Sequence, residues 1–558
     1  MGKKIIIVGG VAGGASAAAR LRRLDESSTI IVVERGEYIS FANCGLPYYI
    51  GETIKDRNKL MVQTVPGLSS RYGLDIRNLS EVTSILRDEN MVTIKNLNTG
   101  ETYTESYDYL ILSPGAKPVV PDIPGLSEAR NVFTLRNIPD TDRIKQHVDE
   151  AQPKEAVIVG GGFIGLEMAE NLADRGVQVT VIERANQVMA PLDYEMAAIV
   201  QSHLQEKGVR LILEDGVQEF HDGGQQIELS SGKRISTEMT LLSIGVRPES
   251  VLASDAGLPV NDRGGIQVNE FMQTSDPNIY AIGDAIEVKD FVLQSQAFIP
   301  LAGPANRQGR LVADHIYGKN NSYKGTLGSS IAKVFELTVA ATGINEKRLK
   351  QVSAPYQAIH IHPSSHAGYY PGAYPISLKL LFHPETGQIY GAQAIGADGV
   401  DKRIDVIATA IKGNLSVWDL TELELSYAPP YSSAKDPVNY AGYVAANILD
   451  GLVETVQWHE IDDLVENGSA LIDVREPKER DAGYIHGSIN IPLNDLRSRL
   501  KELPENETLY VTCQVGLRGY LAARILAEHG FRVKNLDGGW KTYASVYKPS
   551  LSLLTKSF

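Results

Sequence analysis

Cysteine is nearly absent from this chain: 558 residues contain two, Cys44 and Cys513. That scarcity excludes a disulfide framework, and their distance along the chain excludes a local Cys-x-x-Cys redox pair; both fit a reducing compartment, so the expected location is cytoplasmic. Long apolar runs are missing too. No stretch approaches the roughly 20 consecutive apolar residues of a membrane-spanning helix, and no membrane association is expected. The opening "MGKKIIIVGG" enters a strand at once, without the apolar core and cleavage site of a signal peptide. Positive charge is in deficit as well. The net charge is −14 and no basic run appears, which argues against a nucleic-acid partner. What remains, 43% hydrophobic and 22% charged residues, is an ordinary globular composition. The length suits three or four domains, because single cores stop growing near roughly 250 residues.

Glycine is plentiful, with 51 residues, and it clusters after apolar runs. "KKIIIVGGVAGGASAAARLRR" predicts a buried parallel strand, a glycine turn holding Gly9, Gly10, Gly13 and Gly14, and a helix; "STIIVVER" is a second strand ending at Glu34 and Arg35. Glycines permit the tight turn and a close backbone approach to a pyrophosphate, whose charge meets the helix N-terminus; the acid about 20 residues on takes ribose hydroxyls. Val11 stands at the middle glycine position, so this first fingerprint is degenerate. "KEAVIVGGGFIGLEMAENLADRGVQVTVIER" repeats the unit with an unbroken Gly160, Gly162 and Gly165, ending at Glu183. An acid there repels a 2′-phosphate and favours NADH over NADPH, although the adjacent Arg184 blurs that preference. Downstream, "TSDPNIYAIGDA" puts Gly283 and Asp284 after an apolar strand, where a carboxylate can bind a flavin ribityl hydroxyl. "YLILSPGAKP", containing Ala116, and "LLSIGVRPE" have the form of crossovers between two nucleotide domains.

In this order the segments resemble the flavoprotein disulfide reductases with two dinucleotide-binding domains, over about residues 1–450. The resemblance implies an α/β fold: two Rossmann-like domains, FAD-binding at 1–118 and 249–322 and NAD(H)-binding at 119–248, then an α+β dimerisation domain at 323–452. It assigns Gly9, Gly10, Gly13, Gly14, Glu34, Arg35, Asn43, Ala116, Gly283 and Asp284 to FAD, and Gly160, Gly162, Gly165 and Glu183 to the nicotinamide cofactor. No metal is implied. Reductases of this type carry a Cys-x4-Cys pair, yet five residues beyond Cys44 stands Tyr49. An internal dithiol exchange is therefore excluded, leaving a sulfenic acid, a mixed disulfide or a persulfide on Cys44.

"SFANCGLPYYIG" resembles the single-cysteine branch of that superfamily, comprising coenzyme A disulfide reductases, NADH peroxidases and NADH oxidases. "ASAAARLRR" places Ser16, Arg20 and Arg23 near one helix face, and arginine forks suit phosphates. The likeness to the coenzyme A reductases implies that Ser16, Arg20, Arg23, Ser40 and Asn43 contribute to a coenzyme A site. It also implies a homodimer with a shared active site, in which Tyr369 and Tyr427 approach the neighbouring subunit's cysteine; Tyr370 and Tyr431 compete for that role.

From about residue 457 the chain resembles a single rhodanese domain, an α/β module running to 558. Asp473, Arg475, His486, Gly487 and Pro492 match its first signature, and Gly538, Gly539 and Trp540 its last. Cys513 lies between a strand and a helix in "CQVGLR", a loop whose backbone N–H groups can converge on sulfur. The helix N-terminus and Arg518 are expected to favour the thiolate. Four residues separate Cys513 from Arg518, where related phosphatases use five.

Together the two halves imply an FAD-dependent reductase that uses NADH to convert sulfane sulfur, as persulfides, polysulfides or coenzyme A persulfide or disulfide, to sulfide and thiol. Cys44 is then the redox thiol beside the flavin and Cys513 the sulfur carrier. Two rivals share the motifs: an NADH oxidase or peroxidase with a Cys44 sulfenic acid, and a sulfurtransferase or carrier whose flavin half is not catalytic.

Overall fold

The computed structural model describes residues 2–547; the end of the expected rhodanese segment, 548–558, lies outside the described residues. The chain separates into two compact units, one of Met1–Arg184 with Ile212–Gly328, the other of Ala185–Leu211 with Ser329–Phe558. The segment 185–211, expected inside a continuous nucleotide domain, thus groups with the C-terminal half. Its helix Tyr194–Glu206 buries most of its residues among partners from that half.

The first unit holds two parallel sheets. In one, strand Lys4–Val8 lies between Thr29–Glu34 and Tyr109–Leu112, flanked by Asp75–Asn78 and Ile279–Ala281. Both faces are covered, so these strands are continuous apolar runs such as Ile5-Ile6-Ile7 and Ile30 to Val33, all at most 2% exposed. In the other sheet Glu155–Val159 pairs with Gln178–Ile182 and Met239–Leu242, and the latter with Val132–Phe133, all in parallel. Strands Ala116–Pro118 and Val246–Pro248 pair antiparallel as the two crossovers.

Small residues set the helix packing. Helix Ala12–Leu24 lies against helix Ala302–Ile316 so closely that a Cβ on Gly309 would meet the Gly13 carbonyl oxygen at 2.4 Å and the Ala17 nitrogen at 3.1 Å. The "AGGASAAA" run is therefore a packing surface as well as a cofactor turn.

The second unit carries an antiparallel sheet in the order Ser330–Val334, Leu337–Gly343, Ile389–Gly396, Ile376–Phe382, Gln357–Ile361. A parallel sheet follows in the order Glu454–Val456, Arg532–Leu536, Thr508–Thr512, Leu471–Asp473, Ile489–Asn490. The α+β and α/β expectations for these segments match this architecture. Among the described residues no helix is long and apolar enough to cross a membrane.

A buried charge cluster ties this unit together. The Lys379 side chain is fully buried, and its ammonium lies 3.0 Å from Asp193 and 2.5 Å from both Glu195 and Glu346. Burial alone would push the Glu195 and Glu346 carboxyls up. The ammonium outweighs it, holding Glu346 near about 2 and Glu195, which also bonds His360, lower still. Removing one member of such a group leaves uncompensated buried charge. Lys379→Met should therefore destabilise the chain by about 3–5 kcal/mol at neutral pH. With the cation gone the carboxyl pKa values rise, so the deficit should shrink as pH falls and those groups take up protons. Urea unfolding midpoints of the two chains across neutral and acidic pH test both statements.

Candidate active site

The thiol loop is built by backbone bonds. Ser40, at φ 47°, donates its N–H to the Gly10 carbonyl at 3.0 Å, and its own carbonyl accepts from Gln63 at 3.1 Å. Ala42 donates to Leu60 at 2.8 Å, after which Asn43–Gly45 makes a single tight turn into the short helix Leu46–Ile50. The loop is thereby tied to the glycine turn of the first nucleotide fold, with Cys44 exposed at its tip.

That tip opens on a cleft of about 1670 Å³, beyond the roughly 300–1,000 Å³ of a drug-sized pocket. Gly9, Gly13, Glu34, Arg35, Asn43, Ala116, Gly283 and Asp284 all line it beside Cys44. Gly10 and Gly14 lie behind the surface. Gly10 donates its N–H to Glu34 Oε2 at 2.8 Å, and a Cβ on Gly14 would sit 1.9 Å from the Gly9 carbonyl oxygen. The second Glu34 oxygen accepts from Gly36 at 2.8 Å. Two backbone donors do not exhaust a carboxylate, which has about four acceptor sites, so ribose hydroxyls can still bind it.

The residues fit a flavin dinucleotide. Helix Ala12–Leu24 begins at Val11 without a side-chain cap, leaving its first N–H groups for a pyrophosphate. Asp284 is half-buried in the cleft with no hydrogen-bond partner among the described residues, and burial pushes its carboxyl up; a ribityl hydroxyl would satisfy it. The second turn has the same construction. Gly160 sits at φ 109°, Gly161 donates to Glu183 Oε2 at 2.8 Å, and a Cβ on Gly165 would meet the Gly160 carbonyl oxygen at 2.0 Å. Gly162, at the uncapped start of helix Phe163–Asp174, faces open space, as a phosphate-binding position requires.

Of the residues expected to bind coenzyme A, Ser16, Arg23, Ser40 and Asn43 line the cleft. Arg20 is not among the lining residues; its guanidinium bonds Asp314 at 2.6 and 2.8 Å. Sequence reasoning missed Asn306 and Arg310. Both lie on helix Ala302–Ile316 and line the same wall, Asn306 accepting from the Ser16 hydroxyl at 2.8 Å. Their only signal was polar residues interrupting the small-residue face of that helix. It also missed Glu249, which joins Arg35 and Arg136 at the cleft wall.

Burial raises the Cys44 pKa above the ordinary thiol value, and the carboxylates of Glu167 and Asp284 raise it further. Glu167 is itself pushed up by burial and accepts from the Tyr48 hydroxyl at 3.2 Å. Its origin in the second nucleotide fold hid it from sequence reading.

In the second unit, Cys513 is fully buried at the end of strand Thr508–Thr512. Its sulfur accepts from the Gly516 N–H at 3.2 Å, and Gly516, at φ 96°, opens helix Leu517–Glu528. The residue expected to favour the thiolate is Arg518. Its guanidinium is close enough to Cys513 for their charges to interact, but two of its nitrogens bond Glu479 at 2.7 and 2.6 Å. Glu479 thus also draws on the charge that was expected to favour the thiolate. Tyr369 and Tyr427 form one feature, their hydroxyls 2.9 Å apart and both side chains exposed. Tyr370 packs edge-on to His366, and Tyr431 is 73% exposed.

Two dinucleotide turns sharing one fold, with a single thiol in the cleft of the first, define a flavin- and nicotinamide-dependent oxidoreductase acting on sulfur. The pyridine nucleotide-disulphide oxidoreductase family matches residues 3–309, its dimerisation domain 329–437, and the rhodanese-like domain 457–545. The chain belongs to the pyridine nucleotide-disulphide oxidoreductases and carries a rhodanese domain; FAD and a nicotinamide dinucleotide are its cofactors. A coenzyme A disulfide reductase of Staphylococcus epidermidis is 38% identical over 444 residues, 79% of this chain and 99% of that one. The reduced CoADR-RHD of Bacillus anthracis superposes with a TM-score of 0.97 at 63% identity, covering 98% of each chain. An NAD-dependent persulfide reductase from A. fulgidus superposes at 0.90 with 36% identity, covering 97% of this chain and 100% of that one.

Glu167→Gln should move the pH profile of Cys44 alkylation in flavin-free protein toward lower pH, because a like charge is removed while burial remains. An unchanged profile would show that the thiol does not sense that carboxylate.

Proposed function

We propose that the chain uses NADH to reduce persulfides, polysulfides or coenzyme A persulfide and disulfide, with Cys44 as the reacting thiol and Cys513 as a sulfur carrier. The observation that carries this reading is the exposed thiol of Cys44, with Tyr49 where a paired cysteine would stand, in the wall of a cleft of about 1670 Å³. The relatives that reduce coenzyme A disulfide and persulfide support the substrate class.

In the reaction envisaged, the Cys44 thiolate attacks the carbon-bearing sulfur of a persulfide R–S–SH. A Cys44–S–S–R bond forms, the S–SH bond breaks and hydrosulfide leaves. Returning this disulfide to a thiol and the Cys44 thiolate takes two electrons and a proton, and two-electron transfer from NADH is the chemistry that FAD held in the cleft would supply. Ser16, Arg23, Asn306 and Arg310 offer donors along one cleft wall for a phosphorylated carrier such as coenzyme A. Gly9, Gly10, Gly13, Gly14, Glu34 and Asp284 hold the flavin, and Gly160, Gly162, Gly165 and Glu183 the nicotinamide cofactor. Glu183 favours NADH.

The protein works as a homodimer in this reading, supported by the family's dimerisation domain and by the exposed tyrosines at 369, 370, 427 and 431. Tyr369 and Tyr427 of the partner subunit then donate to the leaving sulfur. The cytoplasm, the compartment expected from cysteine usage, is where free thiols of this kind persist.

Cys44→Ser should abolish NADH-dependent sulfide release from coenzyme A persulfide; retention of most of the activity rejects the assignment. Cys513→Ser should slow turnover with polysulfide far more than with coenzyme A disulfide. Equal losses on both substrates would contradict the division of labour between the two thiols.

A further inference from the structure

His360 is clamped between two buried carboxylates of different segments of the second unit. It lies on the edge strand Gln357–Ile361, and its side chain is 2% exposed. Nε2 bonds Glu195 at 2.9 Å, on the helix Tyr194–Glu206. Nδ1 bonds Asp537 at 2.6 Å, and the His360 backbone N–H reaches the other Asp537 oxygen at 3.1 Å. A ring donating from both nitrogens is an imidazolium, and two flanking carboxylates are what holds it so.

Asp537 begins the turn that packs on the Cys513 loop. A Cβ on Gly538 would lie 2.8 Å from the His360 Cβ, and one on Gly539 would lie 2.4 Å from the Cys513 carbonyl oxygen and 3.0 Å from the Gly516 nitrogen. Trp540 donates its N–H to the Cys513 carbonyl at 2.8 Å and Lys541 donates to Gln514 at 3.0 Å. The Gly516 N–H is the donor aimed at the Cys513 sulfur. One glycine turn is thus pressed between His360 and the backbone that presents the sulfur. Both glycines have positive φ, 66° and 61°, so neither can be replaced by a stiffer residue without strain.

We propose that His360 is a positioning residue for the sulfur-carrying loop: its bond to Asp537 fixes the glycine turn, and through it the donor geometry around Cys513. This rests on the reading of Cys513 as a sulfur carrier. The charge of His360 is answered by Glu195 and Asp537; Lys379, which also meets Asp193 and Glu346, bonds the same Glu195, and His362 lies within charge range of both His360 and Lys541. Burial favours the neutral ring, but Asp537 and Glu195 outweigh it and hold the pKa near about 9. A raised histidine pKa gives a contribution complete below the ordinary histidine range and lost as pH rises through about 9.

Sulfur loading reads this directly. With thiosulfate as donor, the Cys513 thiolate attacks the outer sulfur, a Cys513–S–S⁻ persulfide forms, the thiosulfate S–S bond breaks and sulfite leaves, without net oxidation. The rate is followed in the full-length holoenzyme by rapid quench and mass spectrometry of the peptide bearing Cys513, across pH. The wild-type rate should fall on an alkaline limb near pH 9. His360→Gln keeps only the reach toward Glu195, and Asp537→Asn keeps the shape of the turn residue without its charge. Both should load about tenfold more slowly and lack that limb, the scale expected for a lost hydrogen bond to a charged group. His360→Asn, whose amide reaches the place of Nδ1, should load faster than His360→Gln and also lack the limb.

Wild-type rate and pH profile in His360→Gln would overturn the positioning role while leaving the carrier role of Cys513 intact. Should that variant not accumulate as folded protein, Asp537→Asn decides the same comparison. Absence of loading in the wild type would remove the carrier reading and the positioning role with it.

Discussion

The placement of the thiol in the first unit depends on the bond from the Ser40 N–H to the Gly10 carbonyl. It closes a left-handed residue against the glycine turn, so the loop carrying Cys44 is fixed by the same backbone that admits a dinucleotide. A thiol on an independently mobile loop would have to pay ordering entropy at every encounter with its electron source. Here that ordering is already present in the fold. The same economy of parts appears in Glu34, whose two oxygens brace Gly10 and Gly36 while keeping lone pairs for a ribose.

The two cysteines occupy opposite environments, and the contrast explains why one chain keeps both. Cys44 lines a cleft, but burial, with the carboxylates of Glu167 and Asp284 behind it, disfavours its anion, so its reactivity has to be brought about by what binds there. Cys513 is enclosed, with a backbone N–H already directed at its sulfur and a positive-φ glycine holding that donor in place. A fixed donor can stabilise negative charge on that sulfur without rearrangement. Exchange with bulky partners suits the first setting, and retention of a small reactive atom suits the second.

Much of this was legible in the sequence because it is periodic or glycine-dependent. Unbroken apolar runs gave the buried parallel strands, and Gly160-x-Gly162-x-x-Gly165 gave the second turn even though Val11 interrupts the first. The cleft residues beside Cys44 followed from those motifs. What escaped were contacts between segments far apart in the chain. Asp314 takes Arg20 from a helix almost 300 positions later, and Glu479 takes Arg518, because an arginine on a helix face carries no mark of which acid it will meet. Asn306, Arg310 and Glu167 reach the site from elements whose own patterns speak only of packing.

His360 shows the same limit in its sharpest form. In "YQAIHIHP" it reads as a polar residue alternating on an edge strand, with nothing to signal that Glu195 and Asp537 converge on it. Burying a lysine, a histidine and four carboxylates is costly against a hydrophobic core of equal volume, and such groups persist where geometry matters more than raw stability. Apolar side chains could hold the glycine turn near the Cys513 loop, but their contacts are non-directional and tolerate sliding. A doubly bonded imidazolium fixes both distance and angle. The directional demand of a sulfur atom that must meet one backbone N–H is therefore reason enough to keep ionised groups where a core would ordinarily be oily.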